Sequence, residues 1–365
     1  MNWRQKRIFF LAVLLGFAAL AYGITQFAAN AEAEAAPAPR GTPGSSLKYL
    51  EEVGFGDLVK RPDPEGTPTK VIVGLYVIDV GDIDDVKQTF EANFAVGLKW
   101  KDPKLATGKK GVVKRYDLEE IWTPHALILN RRELTPIYPD YVTVDDVGNV
   151  LYSQRFYGHL GFHLHLRNFP LDEHVLPIEI VSGRYGPDEL EFINSEKLTG
   201  QSENLSVADW EILEGHSTTG TYYFKPLDKY FSTYTYKMDV ERKAGFFLWR
   251  VVAPLLLIVF MSWMVFYIDP SHLEAQVGIS ATSVLTLVAF QFAVGVLLPR
   301  ISYLTRMDFF VLLTSFMVFA ALVEGVTTSG LATSGRKDLA LRIDRYSRII
   351  FPLVFVASIL IVFLI

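Results

Sequence analysis

The sequence predicts an all-β, immunoglobulin-like extracellular sandwich followed by a four-helix transmembrane domain, and three observations carry that prediction. Between about residues 68 and 243, short stretches rich in Val, Ile, Tyr and Phe are broken by Gly, Pro and Asp clusters at the spacing of an antiparallel sandwich. After Arg242-Lys243 the pattern gives way to four apolar runs of about 20 residues, enough to cross a hydrocarbon core of about 30 Å at about 1.5 Å per residue. The composition agrees: 50% of the 365 residues are hydrophobic, 21% are charged and mean hydropathy is +0.24. Such a chain is too apolar for an ordinary soluble domain and too long for one core.

Composition also excludes function classes. With no cysteine there is no disulfide framework, thiolate metal site or cysteine nucleophile. A net charge of −5 gives no electrostatic case for nucleic acid. No Gly-rich phosphate loop, GxSxG or HExxH occurs, so neither an enzyme nor a cofactor is expected.

In chain order, the basic Arg4, Lys6 and Arg7, an apolar run and Ala29-Asn30-Ala31 read as a signal peptide over 1–31. An Ala/Pro/Gly-rich start then marks 32–67 as a flexible N-terminal segment. The β region, 68–243, contains strand patterns at 70–79, 89–100, 150–157, 162–167, 175–181, 207–214 and 230–241, with short helices at 47–53 and 117–121. The transmembrane domain, 244–365, places helices at about 246–268, 275–298, 307–326 and 346–365. Arg336, Lys337, Arg342, Arg345 and Arg348 between the last two put that linker in the cytoplasm by the positive-inside rule. Four spans then place the β domain and the C-terminus outside, in agreement with the signal peptide.

The second apolar run differs from its neighbours because Ser280, Thr282, Ser283, Thr286 and Gln291 interrupt it. Steps of three or four residues from Glu274 reach Gly278, Thr282, Leu285, Ala289, Phe292 and Val296, one stripe on a helix. A ring of such helices makes a pore with a charged mouth and an apolar constriction. The alternative is that these hydroxyls bond back to their own helix or to neighbouring helices.

The stretch Asn168-Phe169-Pro170-Leu171-Asp172-Glu173-His174 resembles the Phe-Pro-Phe-Asp loop of the pentameric ligand-gated ion channels, the Cys-loop receptor superfamily. Phe162 and Leu176 stand where animal members carry their disulfide, so the chain is similar to the bacterial branch. Trp122-Thr123-Pro124, Pro254, Ser262-Trp263 and Leu298-Pro299-Arg300 match further family motifs, as does a linker of about twenty residues between the last two helices. The resemblance covers about 68–365 and implies a homopentamer in a bacterial inner membrane, opened by a small-molecule agonist at subunit interfaces.

The resemblance also implies roles for individual residues. Glu274 becomes the cation-selecting carboxylate for permeant monovalent cations, while Leu285 and Phe292 become gate positions. Asp172 and Arg242 form the pair that couples the sandwich to the membrane domain, with Pro299, Arg300 and Tyr303 receiving the movement. Tyr222, Tyr223, Phe224, Tyr230 and Phe231 fall in the hairpin that caps the agonist, with Trp122 and Tyr185 in neighbouring binding loops and Arg155 on the adjoining subunit's face. His163 and His165 share a strand face, but without acidic or Cys partners they read as structural, and no metal is expected. Two rivals remain: protons in place of an agonist, and a non-conducting membrane sensor.

Overall fold

The computed structural model describes residues 61–63, 66–205, 207–295 and 301–364. The expected signal peptide, nearly all of the 32–67 segment, the short helix at 47–53, and Val296, Pro299 and Arg300 lie outside the described residues.

The strands are β1 (Thr69–Asp84), β2 (Thr89–Lys101), β3 (Lys114–Tyr116), β4 (Ala126–Ile128), β5 (Arg131–Pro136), β6 (Val142–Val144), β7 (Asn149–Gly161), β8 (Glu173–Ser182), β9 (Leu190–Asn194), β10 (Gly200–Gln201), β11 (Trp210–Ile212), β12 (His216–Phe224) and β13 (Lys229–Arg242). One sheet runs β10-β1-β2-β7-β6-β3, with β5 on β7 and β9 on β1; the other runs β11-β13-β8-β4, with β12 on β13. Side chains alternate between faces along each strand. Phe90, Ala92, Phe94, Val96 and Leu98 of β2 are buried, as are Leu176, Ile178 and Ile180 of β8 and Tyr234, Tyr236, Met238 and Val240 of β13. This is the core that a cysteine-free sandwich requires.

Three expected elements are corrected. Residues 162–167 form no strand: β2 begins at Thr89, opposite Gly161, so after one Phe162 N–H bond to the Gln88 carbonyl at 3.1 Å the chain finds no partner strand and enters a 3-10 turn at Leu166–Asn168. Residues 207–214 keep only β11, because the Trp210 N–H turns back to the Val207 carbonyl at 3.3 Å. The helix at 117–121 is a turn closed by one Glu120-to-Asp117 bond of 3.1 Å; Pro124 follows, and Pro disfavours helical backbone before it.

Four helices, α1 (Gly245–Tyr267), α2 (Leu273–Val294), α3 (Arg306–Thr333) and α4 (Lys337–Leu364), are long and apolar enough to cross a membrane. Within α1 the turn Leu248–Val252 widens to i→i+5 bonding just before Pro254. Proline lacks an N–H and crowds the carbonyl four residues back, which a wider turn relieves. Helices α3 and α4 extend past the expected ends at 326 and 346, so Ser334, Gly335 and Arg336 replace the expected linker of about twenty residues. The cause is local. Thr327, Thr328 and Thr333 return their hydroxyls to carbonyls of their own helix, which lets polar sequence stay helical, and Gly335 at φ 75° supplies the left-handed stop.

Candidate functional site

Helix α2 is held by one face. Gln276, Ser280, Ser283, Leu287 and Val294 are buried, and Gln276 Nε2 donates to the carbonyls of Val265 (3.3 Å) and Ile268 (3.2 Å) at the end of α1. Ser329 of α3 donates to Gln276 Oε1, and Gln291 Nε2 donates to Ser315 Oγ of α3 at 2.6 Å. The opposite face carries Glu274, Gly278, Thr282, Leu285, Ala289 and Phe292, all exposed. Leu285 is 71% and Phe292 79% exposed, against 5% for Leu287. Thr282, Ser283 and Thr286 each donate to the carbonyl four residues back, at 2.8–2.9 Å, the bonding that the alternative reading of these hydroxyls expects.

At the base of the sandwich, Arg242 ends β13 and Asp172 ends the β7–β8 loop. Arg242 Nε donates to Asp172 Oδ1 at 2.9 Å and Nη2 to Oδ2 at 3.1 Å, a bidentate pair. The same Nη2 donates to Asp85 Oδ2 at 2.9 Å, and His174 Nε2 lies 2.7 Å from Asp172 Oδ2. The guanidinium lies 4.1 Å from the Trp210 ring centroid and 5.0 Å from that of Phe169. Burial pushes the Asp172 carboxyl up, but hydrogen bonds from His174 and Arg242 outweigh it and hold the group below the usual carboxylate range. For Asp85 burial outweighs Arg242, and that carboxyl is pushed up. Asp85 is absent from the sequence-level site. Its only sequence signal is the acidic run Asp82-Ile83-Asp84-Asp85 at the end of β1.

The same loop touches the helices. The Leu166 N–H donates to Tyr303 Oη at 2.9 Å, the Met307 N–H of α3 donates to the Phe169 carbonyl at 3.2 Å, and Phe169 meets Phe247 of α1 edge-on at 4.6 Å. Asp172, Arg242 and Tyr303 therefore belong to one contact region between sandwich and helices. A cavity of about 250 Å³ lies beside it, lined by residues including Asp85, Leu166 and Tyr303.

The expected binding residues divide into two groups. Trp122 is buried and its Nε1 donates to Tyr185 Oη at 2.8 Å; Tyr185 and Phe231 are buried too. Tyr222, Tyr223 and Tyr230 are exposed on the β12–β13 hairpin, with Tyr223 and Tyr230 rings 5.0 Å apart. Phe224 is half-buried, its ring centroid 6.5 Å from that of Tyr222. Gly186 holds hairpin and loop together: a Cβ there meets the Tyr230 carbonyl oxygen at 2.8 Å. Arg155 stands in the other sheet, on β7, where its Nε donates to Asn93 Oδ1 at 2.9 Å. One chain does not bring Arg155 to the hairpin. His163 and His165 are exposed, and among the described residues no group of three or more His, Cys, Asp or Glu is placed to hold a metal.

A two-sheet sandwich docked through a proline loop onto four membrane-length helices is the architecture of a receptor channel, and residues 55–244 match the neurotransmitter-gated ion-channel ligand binding domain while 251–338 match the corresponding transmembrane region. The chain belongs to that family, one of ion channels. It is 27% identical over 323 residues to a proton-gated ion channel of Gloeobacter violaceus, covering 87% of this chain and 89% of the relative. It is also similar to the mouse gamma-aminobutyric acid receptor subunit gamma-1 (28% identity, 82% of this chain, 68% of the relative). With the rat glycine receptor subunit beta identity is 28%, over 72% of this chain and 55% of that subunit's length.

Proposed function

We propose that the chain assembles as a homopentamer in a bacterial plasma membrane, lipid around its helices and the sandwich outside, and conducts monovalent cations when a small molecule binds between sandwiches. The observation that carries this reading is the uncovered face of α2. Glu274, Thr282, Leu285 and Phe292 face away from the helices of their own chain while the reverse face is fixed against α1 and α3, and five such faces together line a pore. The buried Asp172–Arg242 pair at the sandwich base then transmits binding to the helices, since breaking such a pair is costly. The test is recording from the purified protein in lipid, with small-molecule and pH steps; absence of current under every stimulus favours the non-conducting sensor.

Glu274→Gln is expected to lower single-channel conductance or cation preference, because it removes five carboxylates within about one Debye length, roughly 8 Å, of the permeating ion. Reversal potentials under a salt gradient measure the preference. A conductance and reversal potential equal to wild type exclude Glu274 as the selecting ring.

Tyr230→Ala is expected to right-shift an agonist dose–response by about 2- to 30-fold, the equivalent of losing about 0.5–2 kcal/mol of ring contact, with maximal current retained. Tyr230 is the suitable probe because it is exposed. Phe231 is in the core, where its removal costs about 3–5 kcal/mol of stability and confounds the reading.

A second reading, gating by protons, is favoured by the buried cluster at the sandwich base. The carboxylates of Asp85 and Asp172 share the one guanidinium of Arg242, with His174 Nε2 2.7 Å from Asp172 Oδ2, so one proton taken up by the cluster balances its charge. The relative named as proton-gated adds weight to it. Full opening by acid alone, with an unshifted pH midpoint in Tyr230→Ala, selects this reading over the agonist pocket.

A further inference from the structure

The helix bundle holds a buried acidic pair that neither the pore nor the coupling cluster uses. Helices α3 and α4 run antiparallel, with Arg306 Nη1 donating to the Phe363 carbonyl at 2.8 Å near the sandwich. Glu324 lies 18 residues further along α3, and Asp344 lies near the start of α4, so both are at the end remote from the sandwich. Asp344 is 0% exposed. All four carboxyl oxygens of the two residues are buried without a hydrogen-bond partner, and the two side chains are each other's neighbours.

The described surroundings supply few donors, and the two hydroxyls beside the pair belong to Thr328 and Ser347. Thr328 stands beside Asp344, but its hydroxyl donates to the Glu324 and Gly325 carbonyls at 3.1 Å each. Ser347 stands beside Glu324. Among charged groups, Arg348 on α4 is the nearby cation, and its Nε is committed to the Phe266 carbonyl at 3.0 Å while its guanidinium lies 4.6 Å from the Tyr267 ring centroid. Asp269, in the connection between α1 and α2, adds negative charge and is paired with Lys337 at 2.8 Å. Two ionised carboxylates cannot persist side by side in such a place.

We propose that Glu324 and Asp344 form a proton-binding site, in which one proton is shared between the two carboxyl groups across the α3–α4 interface. The O–H of one acid supplies the donor that the other's oxygens lack, and the positive charge of Arg348 offsets the single charge left. Loss of that proton sets like charges against each other and separates α4 from α3. The same level of α3 is packed on the rear of the pore helix without slack: a Cβ on Gly325 meets Val265 at 2.8 Å and Ser280 at 3.6 Å, and Ser329 is bonded to Gln276. A change at the acidic pair therefore reaches the face of α2 opposite the pore stripe.

Infrared difference spectroscopy of the full-length protein in lipid vesicles tests this without recording current, so its result is independent of which stimulus opens the pore. The wild type is expected to show a carboxylic-acid carbonyl band at neutral pH that shifts in heavy water and vanishes at alkaline pH. The double variant Glu324→Gln/Asp344→Asn is expected to lack it. Thermal stability should fall as pH rises from neutral to alkaline in the wild type, since the folded state then loses a bound proton, and this fall should be smaller in the double variant, which keeps only the contribution of Asp85. If the double variant fails to assemble, Glu324→Gln alone, which replaces an O–H donor by an N–H donor, carries the assignment. Superimposable spectra of wild type and variant, or no acid band at neutral pH, overturn the proposal. So does stabilisation by added potassium or calcium at fixed pH without an acid band, which marks a metal cation at the site.

Discussion

Arg242→Gln is expected to abolish stimulus-evoked current and to cost about 3–5 kcal/mol of stability, more than Asp172→Asn costs. The asymmetry follows from geometry. Asp172→Asn leaves Arg242 paired to Asp85 and resting on Trp210, whereas Arg242→Gln strands two carboxylates whose side chains are 1% and 18% exposed. The pH dependence separates the two further. In the wild type Asp172 is held below the ordinary carboxylate range, so its contribution to stability is present above that range and lost as pH falls through the lowered value. Asp85, pushed up by burial, contributes with the opposite slope and loses its contribution as pH rises. Without the guanidinium Asp85 is left to burial and Asp172 keeps only its contact with His174, so both take up a proton more readily than in the wild type and the stability deficit of Arg242→Gln should narrow as the solution is acidified. Thermal melting of wild type and variant across an acidic pH series measures the deficit, and one that widens in acid rules out the guanidinium as the group that holds the two charges. The cycle with Asp172→Asn should give a coupling of about 0.5–3 kcal/mol; simple additivity removes the proposed pair.

Much of this organisation was legible in the sequence, for reasons that differ by element. The long strands β1, β2, β8 and β13 alternate apolar and polar residues because each has one face on the core, and that period survives in the sequence. Strand β5, Arg131–Pro136, has no buried residue and so no alternation; it is held by backbone pairing to β7 alone. The extra turns of α3 were hidden because the residues there are polar, while Thr327 and Thr328 keep the helix going by bonding back to carbonyls of their own helix. Asp172 and Arg242 were found through a motif, but Asp85, 157 residues from its partner Arg242, is joined to it only by the fold. The aromatics near the hairpin show the limit of residue type as a guide. Tyr230 and Phe231 are adjacent, yet period-2 geometry exposes the first and buries the second.

Leu285→Ser is expected to shift activation to a stimulus at least tenfold lower or to give spontaneous current. Water in a ring of leucines loses hydrogen bonds that the wall cannot return, which stabilises a dry, closed pore; five hydroxyls restore some of those bonds and favour the wet state. A bias of only about 1.4 kcal/mol, summed over the ring, gives the tenfold shift. The argument depends on which face Leu285 occupies, and the contrast with Leu287 tests that. Leu287, two residues on and about 200° around the helix, is buried against the other helices. Leu287→Ser should therefore cost about 2–5 kcal/mol as a lost core side chain and appear as reduced yield of assembled protein on size exclusion, with no gain of current. Recording both variants in lipid at matched protein amounts separates the outcomes. Should Leu287→Ser assemble normally and open the channel while Leu285→Ser behaves as wild type, the pore lies on the opposite face of α2, and Glu274, Thr282 and Phe292 lose their proposed places with it.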